Sequence, residues 1–159
     1  MIDVGHPAPL FTLDRDGGTS VSLASFLGQW VVVYFYPRDA TPGCTKQAIA
    51  FTEMGEAFAK RNAVVIGISP DGVAAHDKFV EKHQLSVILA ADENRDVIQA
   101  YDVWREKNMY GRRTMGVERS TFLVDSDGII RAVWRKVRVP GHSDKVMETL
   151  IEEQEKDDK

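Results

Sequence analysis

Cysteine is almost absent from this chain: its 159 residues contain one, Cys44. A lone thiol excludes an intramolecular disulfide and a multi-cysteine zinc site, and it suits a reducing compartment. An excess of positive charge is missing too. Acidic residues number 24 and basic ones 20, for a net charge of −4. With no basic tract, neither nucleic acid nor an anionic membrane is indicated as a partner. No apolar run reaches the roughly 18 residues of a membrane span. Residues 1–10 lack the basic n-region and long apolar h-region of a secretory signal. The expectation is a soluble, cytoplasmic protein acting on a small neutral or oxidised solute. Linkers, repeats and low-complexity tracts are also missing, so residues 1–159 read as a single domain. No phosphate-cradling glycine loop or Ser-His-Asp triad is recognisable.

What is present is organised around residues 34–44, Y-F-Y-P-R-D-A-T-P-G-C. Residues 30–36 are β-branched and aromatic, the composition of a strand buried on both faces. Pro37 ends it, Pro42-Gly43 turn the chain, and a helix follows from Cys44 to about Arg61, with Gln47, Phe51, Met54 and Phe58 on one side. Cys44 is thereby expected in the first turn of a helix. There the free backbone N–H groups and the helix dipole stabilise a thiolate, the nucleophilic form of sulfur.

The other elements alternate. Asp16-Gly17-Gly18 makes a hairpin turn near the N-terminus, and residues 63–69 form a second buried strand followed by a helix to about His83. Residues 87–90 are a short third strand, and residues 92–101 a weaker helix. Residues 104–116 show no sustained period and read as a loop rich in Arg and Lys. Strands at 120–124 and 129–137 flank Asp125-Ser126-Asp127-Gly128, and a last helix starts at Ser143, which can cap it. This order gives a three-layer α/β sandwich with a central mixed sheet and an N-terminal hairpin. Sites in open sheets form beyond the carboxyl ends of the strands, where Cys44 falls.

A thiolate there could cleave a peroxide if donors hold the two oxygens in line and a cation stabilises the leaving oxygen. Thr41 can direct its hydroxyl at that pocket, the backbone N–H groups around Gly43 and Cys44 add donors, and Pro37 would shield the sulfur from water. P-R-D-A-T-P-G-C at residues 37–44 resembles the peroxiredoxin PxxxTxxC motif. The likeness is to the bacterioferritin comigratory protein branch, also called peroxiredoxin Q, and it covers nearly the whole chain. It is supported by G-H-P-A-P-L-F-T-L at 5–13, V-V-Y-F-Y-P at 32–37, V-I-G-I-S at 65–69 and R-S-T-F-L-V-D at 119–125. The resemblance implies a thioredoxin-like fold, Cys44 as peroxidatic cysteine, and Thr41 and Pro37 in the active site. It also implies Arg119 as the cation that stabilises the thiolate and binds peroxide; composition alone does not separate it from Arg38, Arg112 or Arg113. No cofactor and no metal are implied. The substrates would be hydrogen peroxide or an alkyl hydroperoxide.

The chain departs from that family at Ile49, where many members of the branch carry a resolving cysteine. Oxidation should then stop at a sulfenic acid that an external thiol reduces, whether thioredoxin, glutaredoxin or glutathione. The relatives suggest a monomer or weak homodimer. Helical spacing puts Ile49 opposite the apolar stripe, an exposed apolar spot where a reductant could dock.

Other readings compete. A lone cysteine is often a buried, inert hydrophobe; Arg119 could pair with Glu118, and Thr41 could be a turn residue. A non-catalytic redox sensor or holdase would use the same cysteine. A thioredoxin-type disulfide reductase is disfavoured, because CxxC would need a second cysteine where Gln47 stands. His76 and His83 share a helical face with Phe79 and Val80 but lie too far apart for an i, i+4 metal pair, so packing or helix-end roles are expected. Asp125 to Gly128 lacks the later glutamate of a calcium loop and reads as a turn.

Overall fold

The central strand β3 (Trp30–Phe35) is buried at every position, as its β-branched and aromatic composition requires. Its side chains alternate between two cores. Val31, Val33 and Phe35 face one, with Ile98, Tyr101 and Phe122. Trp30, Val32 and Tyr34 face the other, with Phe51, Phe58, Phe79, Val146 and Leu150. A strand clothed on both faces lies in the middle layer of three, so the sandwich read from the sequence is the one observed. The computed structural model describes residues 2–158.

Around β3 the described residues form a seven-stranded sheet in the order β2-β1-β5-β4-β3-β8-β9. These strands are β1 (Thr12–Arg15), β2 (Ser20–Ser22), β4 (Ala63–Ser69), β5 (Ile88–Ala91), β8 (Ser120–Val124) and β9 (Ile130–Trp134). β4 runs parallel to both β3 and β5. β1, β8 and β9 join antiparallel, so the sheet is mixed. The N-terminal hairpin is β1-β2, with Gly17 and Gly18 at φ 87° and 84°, as a turn of this kind demands.

Several features depart from the sequence expectations. The helix after Cys44 is two helices, α1 (Pro42–Glu53) and α2 (Gly55–Lys60), broken at Met54 (φ −97°, ψ 5°). A Cβ on Gly55 would stand 3.0 Å from Ser86 Oγ, so the break lets α2 lie close to the segment leading into β5. The segment expected to be a loop is a second, two-stranded sheet of β6 (Trp104–Met109) and β7 (Arg112–Val117). Tyr110 and Gly111 close it with φ 54° and 77°, the left-handed pair of a two-residue hairpin. It shows little apolar alternation because most of its side chains face solvent. Finally, Ser143 does not cap the last helix, α5 (His142–Asp157); Gly141 at φ 76° precedes it, and Ser143 lies buried in the first turn. The remaining helices are α3 (Val73–His83), close to expectation, and α4 (Asp96–Ala100), which begins only after Arg95 at φ 63° and fills half of the expected 92–101 span.

Candidate active site

Cys44 sits where β3 hands over to α1. After Phe35 the chain runs through Pro37, half-buried, into a loop, and Thr41 takes the N-cap position with Pro42 as the first helical residue. Proline is favoured there because its missing N–H would have no intrahelical partner. Cys44 is therefore the third helical residue, and the N–H groups of Gly43 and Cys44 lack acceptors within the helix.

The cation arrives from the neighbouring strand. β8 pairs with β3 antiparallel in a register that sets Ser120 against Phe35. Arg119, the residue before Ser120, is thus delivered to the end of β3 from which the Cys44 loop departs. Its backbone carbonyl accepts from Val137 N–H at 2.9 Å, which fixes the start of β8. The guanidinium donates from Nη2 to Cys44 Sγ at 3.2 Å and from Nη1 to Gln47 Oε1 at 2.6 Å. Among the described residues it has no carboxylate partner, Glu118 included. A cation so placed stabilises negative charge on the sulfur rather than on an acid. Gly43 makes room for it, since a Cβ there would stand 3.3 Å from Arg119 Nη2.

Of the residues read from the sequence, Arg119 and Cys44 are in contact. Thr41 is nearby in the chain, but its hydroxyl donates to the Arg38 carbonyl at 2.9 Å and so braces the loop. The sulfur is not open to solvent. Cys44 is 1% exposed, packed in one cluster with Tyr34, Tyr36, Ala48 and Phe51. The helix turn and the strand end converge on it, which composition could not reveal. Ile49 is half-buried, not an exposed spot, because it packs against the same cluster, which Val146 and Leu150 of α5 also join.

Two participants escaped the sequence reading. Gln47 looked like one member of an apolar stripe; it is 2% exposed and holds Arg119, while its Nε2 has no hydrogen-bond partner among the described residues. A glutamine on an otherwise apolar helix face was the signal available. Lys107 comes from β6, its methylenes lying against Gly116, where a Cβ would be 3.2 Å from its chain. Burial and then the Arg119 charge push its ammonium below the ordinary value, with Cys44 and Glu118 acting the other way. It is a second cation within electrostatic reach of the sulfur. No group of three His, Cys, Asp or Glu side chains among the described residues could hold a metal ion. No helix among them is long and apolar enough to cross a membrane.

The sequence compared with known proteins agrees with this geometry. Residues 4–133 match the AhpC/TSA family. The chain belongs to the AhpC/TSA family. It is a peroxiredoxin of the Bcp or peroxiredoxin Q branch with a single cysteine. It is 44% identical to peroxiredoxin Bcp of Bacillus subtilis over 155 residues, covering 98% of this chain and 99% of that one. It is 38% identical to peroxiredoxin Bcp of Escherichia coli over 151 residues, covering 95% and 97%. The Xylella fastidiosa PrxQ mutant structure superposes with a TM-score of 0.92 at 35% identity, covering 97% of this chain and 98% of that one. The Xanthomonas campestris bacterioferritin comigratory protein, studied for its alkyl peroxide reduction activity, superposes with a TM-score of 0.86 at 40% identity, covering 90% and 91%. The thioredoxin-like fold of this peroxiredoxin is the one expected from its motif.

Proposed function

We propose that this peroxiredoxin is a peroxidase that reduces hydrogen peroxide and small organic hydroperoxides at the expense of an external thiol. The Cys44 thiolate attacks the terminal peroxide oxygen; the S–O bond forms as the O–O bond breaks, and the departing oxygen takes a proton to leave as water or alcohol. Sulfur is oxidised to sulfenic acid and the peroxide is reduced by two electrons. One thiol then displaces water to give a mixed disulfide, and a second thiol releases Cys44 with formation of the reductant's own disulfide. Arg119 stabilises the attacking sulfur and the charge that develops on the leaving oxygen. The N–H groups of Gly43 and Cys44 aim at the same region, and Thr41 and Pro37 shape and cover the loop. The reductant is thioredoxin, glutaredoxin or glutathione, acting in the cytoplasm on a monomer or weak homodimer.

The observation that carries this reading is the 3.2 Å contact to the one thiol in the chain from a guanidinium that has no carboxylate partner among the described residues. Sustained peroxide consumption in excess thiol, present in the wild type and absent from Cys44→Ser, is the expected result. Consumption that survives in Cys44→Ser ends the proposal.

The burial of Cys44 favours one other reading, a redox sensor that is oxidised once and not recycled. A sensor consumes one equivalent of peroxide per chain and stops, however much thiol is supplied, so the same assay separates the two.

A further inference from the structure

The loop that leads to Cys44 is tied down by a buried polar network centred on Asp39. Asp39 lies midway between Pro37 and Thr41 and is 8% exposed. Its Oδ1 accepts from Tyr36 Oη at 2.6 Å, and its Oδ2 lies 2.6 Å from His76 Nδ1. His76, on α3, is fully buried, and its Nε2 is 3.1 Å from the Ala90 carbonyl on β5. A carbonyl only accepts, so Nε2 carries a hydrogen. A neutral ring would then face the carboxylate with the Nδ1 lone pair, two acceptors in contact. The geometry is satisfied when Nδ1 is protonated as well, making the pair imidazolium and carboxylate.

The backbone is anchored at the same point. Asp39 N–H donates to Asp71 Oδ2 at 2.8 Å, and Ser69 Oγ donates to that oxygen at 2.8 Å. The next residue, Ala40, is at φ 64°, a conformation that a non-glycine residue holds only when its surroundings impose it. Asp39 is thus pinned through both side chain and main chain immediately before a strained residue. Four residues further on, α1 is in its first turn with Cys44.

We propose that Asp39 and His76 are positioning residues for the peroxidase reaction: a buried ion pair that clamps the 37–42 loop, holding Thr41 and Cys44 in register with Arg119. The proposal rests on the peroxidase reading above. It has a second consequence, because Cys44 is 1% exposed and a thiol far larger than hydrogen peroxide reaches the oxidised sulfur only when the loop moves. The clamp therefore favours oxidation by peroxide and opposes reduction by thiol.

The groups facing His76 are few. Asp39 comes from the loop, Asp71 from the turn before α3, and the Ala90 carbonyl from β5, while Tyr36, just after β3, reaches Asp39. Arg38, Lys78 and Lys82 rim the adjoining cleft of about 260 Å³. None of these cations is within ion-pair distance of Asp39 among the described residues, where its partner is His76. Burial opposes the charge on His76, yet the Asp39 bond and charge, the Ala90 carbonyl and Asp71 together raise its pKa above 6.5. The clamp loses its imidazolium, and opens, as pH rises through that raised value.

The test uses Asp39→Asn and His76→Gln beside the wild type. Oxidation of the reduced protein by one equivalent of hydrogen peroxide is followed by tryptophan fluorescence, and reduction of the sulfenic acid by dithiothreitol is followed separately. Both variants are expected to oxidise about tenfold more slowly or worse and to be reduced faster. The alkaline decline in the wild-type oxidation rate is expected to vanish in His76→Gln. A merely destabilised protein would not move the two half-reactions in opposite directions. Nitrogen NMR of the wild type, which needs no variant to fold, is expected to show both His76 ring nitrogens protonated at pH 6, below the raised value. A single neutral tautomer at pH 6, or variant half-reactions unchanged from a wild type that turns over, overturns the proposal. A wild type that consumes no peroxide, with His76 doubly protonated, instead refutes the peroxidase reading.

Discussion

Gln47 holds Arg119 from behind: Oε1 accepts from Nη1 at 2.6 Å while Nη2 of the same guanidinium reaches Cys44 at 3.2 Å. Because Gln47 lies one turn after Cys44 on α1, the helix that presents the proposed nucleophile also aims the cation beside it. A neutral amide does this without competing for the charge.

Gln47→Ala should therefore leave Nη1 unpartnered and let Arg119 drift from the sulfur. A hydrogen bond to a charged group is worth about 1.5 to 3 kcal/mol, so oxidation by peroxide should slow about tenfold or more in stopped-flow fluorescence. Gln47→Glu should also slow it, because a carboxylate would compete with the thiolate for the guanidinium.

Gly43→Ala separates stability from activity. The residue is helical and its new methyl would stand 3.3 Å from Arg119 Nη2, so the side chain must give way. Alanine leaves the unfolded chain less conformational entropy to lose on folding, and Arg119 is the one group its methyl would crowd. The melting temperature should hold or rise while the peroxide rate falls severalfold; an unchanged rate would show that the close approach of Arg119 to Gly43 is idle.

Lys107 adds its charge from a distance, without a contact. Lys107→Met should reduce the peroxide rate about two- to fivefold, as expected for a partly screened charge pair of about 0.5 to 1 kcal/mol. The wild-type rate should fall with added salt, and the variant should lose part of that dependence.

His142 makes the protein sensitive to acid. Burial first, then Lys145 and Arg119, push its pKa from 6.5 down to about 4. A histidine depressed in the folded state is protonated sooner in the unfolded one, so its contribution is complete above 6.5 and lost as pH falls towards 4. Denaturant unfolding at successive pH values should show stability dropping across that window. In His142→Gln, which can still pair with Thr121 Oγ1, the drop should be smaller.

The sequence exposed the parts of this molecule that depend on local chemistry. The wholly apolar β3, the proline and glycine before Cys44, and the turn glycines at 17 and 18 each declare their own conformation. Arg119 is legible only through a motif, since its placement beside Cys44 comes from the strand register of Ser120 against Phe35 and not from any feature of its neighbours. Gln47 and Asp39 were hidden for the same reason: a buried polar residue is understood from its partners, which lie 72 and 37 residues away. The β6-β7 hairpin failed the period test because little of it is buried, and its Tyr-Gly turn lacks the usual Asn-Gly signature.

That hairpin stands outside the seven-stranded sheet and is moored at its base, where Val103 and Val117 are buried and Glu118 N–H bonds to the Val103 carbonyl at 2.8 Å. Its tip, with Tyr110 wholly exposed, contributes almost nothing to the core. Substitutions there are decoupled from folding, so the charge and shape of this arm can change while the scaffold beneath is kept.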